Sequence, residues 1–206
     1  DTIAYTYDVL GRAATRSVSG VPLSLTYDAL GRVTQEVNGL GTFGYGYEGA
    51  SGRLASVTYP HGQTSTYAYL PASQDHRLQT IHHRRADLTT ISRFDYTYDA
   101  VGNILTWQQQ AGTAAPDQWT YGYDRADQLT GALRATTDPT PQVLQRFAYG
   151  YDPAGNRLYE QIDGTVTAWT YDALNRLQTQ AGGGVLQIVG AVNEPATVTI
   201  QGKAAA

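Results

Sequence analysis

Two stretches of this chain, TYDALGRVT at residues 26–34 and TYDALNRLQ at residues 170–178, are almost the same nine residues. Further copies align on a Tyr-Asp pair, with Glu48 in place of Asp in one copy and a stretched version that starts at Tyr69. The aligned tyrosines are Tyr7, Tyr27, Tyr47, Tyr69, Tyr98, Tyr123, Tyr151 and Tyr171. Such recurrence predicts a repeat protein in which each copy forms one supersecondary unit.

Each copy has the pattern of a β-hairpin. Residues before the Asp alternate, as in Tyr5-Thr6-Tyr7, which puts both tyrosines on one face of a strand and the threonine on the other. The following Asp-x-x-Gly is typical of a type I turn closed by a residue in the left-handed region. A Leu, Val or Ile then begins the return strand. The predicted strand aromatics are Tyr7, Tyr27, Tyr47, Tyr98, Tyr123, Tyr151 and Tyr171.

The turn positions share a backbone requirement. Where one copy has Gly31, others have Asn175 or Asp127, the residue types that best tolerate a positive φ after glycine. The predicted turn residues are Asp8, Gly11, Asp28, Gly31, Glu48, Gly52, Asp99, Gly102, Asp124, Asp127, Asp152, Gly155, Asp172 and Asn175. A carboxylate that recurs in nearly every turn is expected to be structural, and we predict no catalytic residues among them.

A single hairpin is only marginally stable, so the copies must stack. Burial of a large side chain is worth about 1.5–3 kcal/mol, most of it offset by ordering entropy. We therefore predict an all-β fold over residues 1–181, in which about eight stacked antiparallel hairpins form an extended, spiralling sheet. A propeller of four-stranded blades is the alternative, which the irregular spacing of the tyrosines disfavours.

Composition excludes several functions. The net charge of −4 and the pI near 5.4 give no reason to expect nucleic acid or an anionic membrane as partner. No apolar run is long enough for a membrane span, so membrane insertion is not expected. The absence of Cys excludes disulfides and thiolate metal sites. Since Met is also absent, even at position 1, we expect a fragment of a longer product.

Candidate chemistry is sparse. The stretch 82–85, His-His-Arg-Arg, is the main histidine cluster, beside His61 and His76, and is expected to be an exposed irregular insert. Each turn offers one carboxylate, whereas calcium takes six to eight oxygen ligands, so we predict no metal and no cofactor. No nucleophile-elbow, phosphate-loop or zinc-protease motif occurs, and we predict that the chain is not an enzyme.

Arginines and tyrosines have two alternative roles each. Arg12, Arg32, Arg53, Arg157 and Arg176 follow the turns, and we expect them to pair with the turn carboxylate or to stack over tyrosine, with ligand contact as the alternative. The tyrosines are expected to pack between neighbouring strands. The alternative is an outward-facing aromatic ladder that binds sugar rings.

The repeated pattern resembles the YD-repeat, or rearrangement-hotspot (Rhs), family, whose signature Y-D-x-x-G-R-L corresponds to residues 7–12, 27–33 and 151–158. The resemblance covers about residues 1–180. It implies repeats that spiral into a shell around a C-terminal toxin, as in toxin-complex shell proteins, with the teneurin adhesion proteins as relatives. The autoproteolytic core segment of the family has no counterpart here, and eight hairpins are too few for a complete shell.

What the resemblance implies for function is a non-catalytic scaffold, part of a large bacterial protein that is secreted or on the cell surface. Its partners would be the remaining repeats of the parent chain and an enclosed toxin or effector cargo. The alternative is an adhesion repeat that binds a glycan or a cell-surface protein.

The end of the chain has a different pattern. We interpret Gly182 to Gly184 as a hinge and residues up to 206 as a truncated β-sandwich-like strand pair, because Val198 and Ile200 alternate with Thr197 and Thr199. Open sheet edges at both ends of the repeats predict association of the isolated chain.

Overall fold

The computed structural model of this chain describes residues 2–183, 199–200 and 203–204. The chain divides into two compact units, Asp1–Gln145 and Arg146–Ala206. Within the described ranges the only helical element is one 3-10 turn, Ala72–Gln74, and no helix there is long and apolar enough to cross a membrane.

The first unit is one antiparallel sheet in which each strand pairs with the next one along the chain. Its strands are β1 (Ile3–Tyr7), β2 (Ala13–Val18), β3 (Val21–Tyr27), β4 (Val33–Asn38), β5 (Gly41–Tyr47), β6 (Leu54–Thr58), β7 (Thr64–Tyr69), β8 (Leu78–Arg84), β9 (Thr90–Tyr98), β10 (Ile104–Ala111), β11 (Asp117–Tyr123) and β12 (Leu129–Thr136). Twelve strands in one chain-ordered sheet exclude four-stranded propeller blades here.

The second unit has the same construction. Its strands are β13 (Val143–Tyr151, of which residues 146–151 belong to this unit), β14 (Arg157–Ile162), β15 (Thr165–Tyr171) and β16 (Leu177–Gly182), again antiparallel and in chain order. A separate pair, β17 (Thr199–Ile200) and β18 (Lys203–Ala204), is antiparallel as well. The predicted all-β arrangement of stacked hairpins is confirmed.

Most of the predicted hinge and tail lies outside the described residues. Gly182 is the last residue of β16, and Gly183 has a φ of 99°. The prediction of a hinge followed by a truncated module therefore stays a prediction.

All eight hairpins contain a bulge at the same position. In the first, Thr6 lies opposite Thr15 but Tyr7 lies opposite Ala13, so that the register shifts between residues 6 and 7. The same shift precedes every aligned tyrosine, at Tyr27, Tyr47, Tyr69, Tyr98, Tyr123, Tyr151 and Tyr171. A bulge increases local twist and turns the strand end, and here the turn chemistry fixes its place.

Strand alternation gives each unit an aromatic face and a polar face. Tyr5 lies opposite Arg16 on the aromatic face, while Thr6 and Thr15 face each other on the polar face with their hydroxyl oxygens 2.6 Å apart. The polar face continues with Thr, Ser, Gln and Gly along the later strands, as in the Thr97–Thr106 pair, whose oxygens are also 2.6 Å apart. The predicted separation of Tyr from Thr and Gly is thus present.

Very few side chains are fully buried. Among the described residues, the apolar side chains less than a tenth exposed are Val57 and Ala132 in the first unit and Val166 in the second. Each sheet therefore lacks a covered core, and its side chains are stabilised mainly by neighbours on the adjacent strands.

Repeat length varies at both ends of the hairpins. The Tyr-Asp turns lie at one end, and the links between hairpins lie at the other. The links range from two residues, Ser19 and Gly20, to six residues at 137–142. The Tyr-Asp turns have five residues between the strands in six hairpins, six in the third at 48–53 and eight in the fourth at 70–77. The irregular tyrosine spacing therefore comes from the links and from these two longer turns.

Candidate functional site

The Tyr-Asp turns form the repeated site of this molecule, and the first one shows the geometry. The N–H of Gly11 donates to the carbonyl of Asp8 at 3.0 Å, as in a type I turn. The Asp8 carboxylate accepts the N–H groups of Leu10 and Arg12, each at 2.9 Å. The side chain thus satisfies two donors that the tight turn leaves without a carbonyl.

Most of the predicted turn residues have this geometry. The carboxylates of Asp28, Asp99, Asp124, Asp152 and Asp172 accept the same two backbone N–H groups. Positive φ values occur at Gly11 (76°), Gly31 (79°), Gly102 (109°), Asp127 (58°), Gly155 (85°) and Asn175 (59°). Glycine, aspartate and asparagine therefore occupy one backbone conformation.

The third turn differs from its prediction. Positive φ lies at Gly49 (51°), and the prediction for Gly52 is wrong. Because Glu48 is one methylene longer than Asp and its turn has an extra residue, the hydroxyl of Ser51 accepts the N–H of Arg53, at 3.1 Å. The Glu48 carboxylate only pairs with the Arg53 guanidinium, at 2.6 Å.

Hydrogen bonds lower the pKa of the turn carboxyls. For Asp8, Asp28 and Asp172 the largest cause is the backbone N–H of the arginine four residues later, and the guanidinium of that arginine adds to it. These carboxyls are thus held in the ionised form that the turn requires.

The arginine after each turn joins two hairpins. Arg12 pairs with its own turn at Asp8, 2.6 Å away, and its guanidinium lies 4.5 Å from the ring centroid of Tyr27 in the next hairpin. Arg32 does the same with Asp28 and Tyr47. The two predicted roles, pairing and stacking, therefore belong to a single side chain. Arg53 and Arg77 repeat the stacking on Tyr69 and Tyr98.

The aligned tyrosine adds a hydrogen bond between the same two hairpins. Tyr27 donates to the carbonyl of Ala13, the residue after Arg12, at 2.8 Å. The equivalent bonds run from Tyr47 to Val33, Tyr69 to Leu54, Tyr98 to Leu78, Tyr123 to Ile104 and Tyr171 to Arg157, at 2.7–3.3 Å. We call this contact between consecutive hairpins a junction. No sequence pattern identifies the acceptor, because it lies on another hairpin.

A single register rule holds at all six junctions that the structure describes. Two residues lie opposite each other at every junction. One is three positions after the turn arginine, or after the residue that replaces this arginine. The other is three positions before the aligned tyrosine of the next hairpin. The pairs are Thr15–Ser24, Gln35–Gly44, Ser56–Thr66, Thr80–Asp95, Thr106–Thr120 and Tyr159–Ala168. Hairpins of different length are therefore joined in the same way.

Asparagine replaces the arginine in two turns. Asn103 donates to its own Asp99 at 3.0 Å and to Asp127 of the next turn at 2.9 Å. Asn156 makes the same bridge from Asp152 to Asn175. Arg157 does not pair with a turn aspartate, because Asn156 occupies that position; of its two expected roles, the structure has the stacking over tyrosine, at Tyr149.

Arg157 lies one residue further along the chain, within β14. It pairs with Glu160 at 3.0 Å. Its guanidinium stacks on Trp169, 4.5 Å from the ring centroid, and lies 5.9 Å from that of Tyr149.

The histidine cluster is not an irregular insert, and that prediction is wrong. His82, His83 and Arg84 belong to β8, between β7 and β9. His83 Nδ1 lies 2.6 Å from the hydroxyl of Ser65, which is only 1% exposed. On the opposite face, burial and then the charge of Arg84 lower the pKa of His82.

The aromatic face contains a row of stacked rings in the first unit. Phe94, Trp107 and Trp119 lie on three consecutive strands with centroids 6.3 Å apart and interplanar angles of 25° and 16°. His83 and Tyr121 extend the row at each end. Because the rings contact one another, this geometry favours packing between strands over an outward ladder for sugar rings.

A polar cleft of about 420 Å³ lies beside the stretched fourth turn. Arg77 donates there to the carbonyl of Asp99 at 2.6 Å and pairs with Asp75, while the Tyr98 hydroxyl donates to Leu78. The charged groups of the cleft thus serve the junction. Over the ranges given above, no group of three or more His, Asp or Glu residues could hold a metal ion.

These contacts define the class of protein: an all-β hairpin repeat whose recurring residues connect one hairpin to the next. No protein-family model and no curated protein matches the chain. Among solved structures, it is similar in fold to "Crystal Structure of TcdB2-TccC3-Cdc42", with a TM-score of 0.68 and 22% identity over 85% of this chain. This chain spans 10% of the length of that protein.

A second structure, "Crystal Structure of TcdB2-TccC3 without hypervariable C-terminal region", has a TM-score of 0.47 and 19% identity over 85% of this chain and 11% of its own.

Proposed function

We propose that this chain is a wall segment of a large YD-repeat protein, a non-catalytic scaffold that encloses a toxin or effector. One observation carries the proposal: the repeated Asp, Arg and Tyr side chains are used in turns and junctions. Residues committed to joining neighbours are suited to a wall, because the same contact extends it by any number of hairpins. The fold shared with part of the TcdB2-TccC3-Cdc42 structure supports the same assignment.

The location follows from this proposal. A bacterial protein that carries such a cargo acts outside the cell that makes it, so we propose that the parent protein is secreted or displayed on the cell surface. Its partners are then the remaining repeats of the parent chain and the enclosed cargo.

Limited proteolysis of the parent protein tests the enclosure. The segment that follows the repeats is tagged, and native protein is digested with trypsin. We expect the tag to survive in the wild type and to be cleaved faster in the Tyr47→Phe variant, which loses a junction bond. The matched control is Tyr67→Phe, which lies on β7 and on the same face of the sheet as Tyr47. In this variant we expect the tag to remain as well protected as in the wild type. Rapid cleavage of the tag in the wild type would reject the proposal.

Glycan binding is the competing proposal, based on the aromatic rows. The mutual stacking of Phe94, Trp107 and Trp119 disfavours it, since a sugar ring needs an open aromatic face. A glycan array probed with this chain separates the two proposals: wall function predicts no saturable binding, and a bound glycan that is lost in Trp107→Ala would establish adhesion.

A further inference from the structure

The polar face of the first unit contains a histidine whose two ring nitrogens both have partners. His82 lies on β8, and its Nε2 is 3.0 Å from the hydroxyl of Thr90, the first residue of β9. The guanidinium of Arg84, on the same strand, has Nε 3.2 Å and Nη2 3.0 Å from His82 Nδ1. Because a guanidinium can only donate, Nδ1 must be the acceptor. These contacts therefore require the neutral ring with its proton on Nε2.

Two positive charges and one negative charge lie around the ring. Arg84 contacts no carboxylate in the described part of the chain, so its charge faces His82 directly. On β9, Arg93 lies opposite His82 and forms two bonds with Asp95, at 2.8 and 2.9 Å. Asp95 is thus shared with Arg93 and offsets only part of the positive charge. A proton on His82 would add a third positive charge to the group.

The other elements near the ring supply no compensating charge. On β7 the opposite residue is Thr66, which is uncharged. The link after β8 contains one charge of each sign, Arg85 and Asp87. On the aromatic face the neighbouring titratable group is His83, whose charge would also oppose protonation. These elements therefore add no net negative charge beside the ring.

Burial is the main cause that lowers the pKa of His82 below its ordinary value of 6.5, and the charges of Arg84 and Arg93 lower it further. The unfolded chain therefore binds the proton at a higher pH than the folded chain does. The stability that the neutral ring contributes is complete above pH 6.5 and is lost as the pH falls through the lowered pKa.

We propose that His82 is an acid-sensitive contact that loosens the fourth hairpin, β7 and β8, when the pH falls below the histidine range. A proton bound at Nδ1 occupies the lone pair that Arg84 uses, so the guanidinium must leave. The turn of this hairpin is strained, because two consecutive residues other than glycine have a positive φ, Asp75 (59°) and His76 (50°). This inference goes beyond the proposed function and does not depend on it.

The neighbouring histidine lacks this property. His83 Nδ1 lies 2.6 Å from the hydroxyl of Ser65. A hydroxyl can either donate or accept, so this hydrogen bond is compatible with both protonation states of the ring. The acid-sensitive contact is therefore specific to His82 and Arg84.

Nuclear magnetic resonance of the histidine rings tests the state of His82 in the chain of residues 1–206. With signals assigned through the backbone, long-range 15N–1H spectra should show the Nε2–H tautomer at neutral pH. A titration should give His82 a pKa below 6.5. Arg84→Gln should raise this pKa, because it removes a positive charge and keeps a side chain that can donate to Nδ1.

Urea titrations between about pH 5 and pH 6.5 test the effect on stability, because Asp and Glu stay ionised there in the folded and unfolded chain. The ratio of unfolded to folded chain should rise as the pH falls. His82→Gln should remove up to about tenfold per pH unit of this rise. The matched control is His61→Gln, in the exposed link before β7, which should keep the wild-type pH dependence.

Amide hydrogen exchange locates the loosened segment. On acidification, the protection factors of β8 should fall more than those of β3, which lies away from the cluster in the strand order. The proposal is overturned if Nδ1 carries the proton at neutral pH, if the pKa of His82 is not lowered, or if Arg84→Gln leaves that pKa unchanged. It is also overturned if His82→Gln keeps the wild-type pH dependence or if β8 loses no more protection than β3.

Discussion

Replacement of Gly31 by alanine tests whether the turns select a backbone conformation. Gly31 has a φ of 79°, and a Cβ added there would lie 3.8 Å from Arg12, an ordinary contact. The cost is therefore conformational, about 1–2 kcal/mol for a left-handed L-residue. Alanine also restricts the unfolded chain more than glycine does, which offsets about 0.4–1 kcal/mol of this cost. We expect a net loss of about 1 kcal/mol in the free energy of unfolding, measured by urea titration with far-ultraviolet circular dichroism.

Two further variants provide the matched controls. Gly31→Asn should lose much less stability, because Asn175 already adopts a φ of 59° in the equivalent turn. Gly52→Ala should be neutral or stabilising, since Gly52 lacks a positive φ and a Cβ there meets no atom within 4 Å. If Gly31→Asn or Gly52→Ala cost as much as Gly31→Ala, a backbone requirement could not explain the turn residues.

Three other outcomes follow from the contacts. Tyr47→Phe should lower the free energy of unfolding by about 1 kcal/mol by removing its bond to a carbonyl, and Tyr67→Phe should change it little; equal losses in urea titrations would argue against the junction bond. The pKa of Asp28 is lowered on folding, so its contribution is present above the ordinary value of 3.8 and is lost as the pH falls further; urea titrations across this range should show a weaker pH dependence in Asp28→Asn, and an unchanged dependence would contradict this. Ser65→Ala should cost about 1–3 kcal/mol because His83 loses a buried partner, and a neutral result in thermal or urea unfolding would show that this hydrogen bond is dispensable.

Local features of this fold were predictable from the sequence. Alternation around Tyr7, the Asp8 turn and the positive φ of Asn175 depend on a few consecutive residues, and repetition made each pattern clear. The arginine contacts were predictable in kind, because Arg12 has both a carboxylate and an aromatic ring as natural partners.

The features that sequence analysis missed depend on contacts between hairpins. The acceptor of the Tyr27 hydroxyl and the register rule are set by the neighbouring strand, which no local pattern identifies. The shift from Gly52 to Gly49 arises from one extra residue in the turn. His82 and His83 were misplaced because their charged neighbours suggested exposure, whereas β7 and β9 enclose them on both sides.

The single register rule, which joins hairpins of different length, has a consequence for how such a gene can grow. Each segment that runs from one aligned tyrosine to the next carries an incoming tyrosine half-contact, and all of them except the one with Gln128 also carry an outgoing arginine or asparagine half-contact. A tandem duplication of that segment would thus insert a hairpin that fits both old neighbours without compensating mutations. Recombination alone could then lengthen or shorten the protein, while the links diverge freely in sequence.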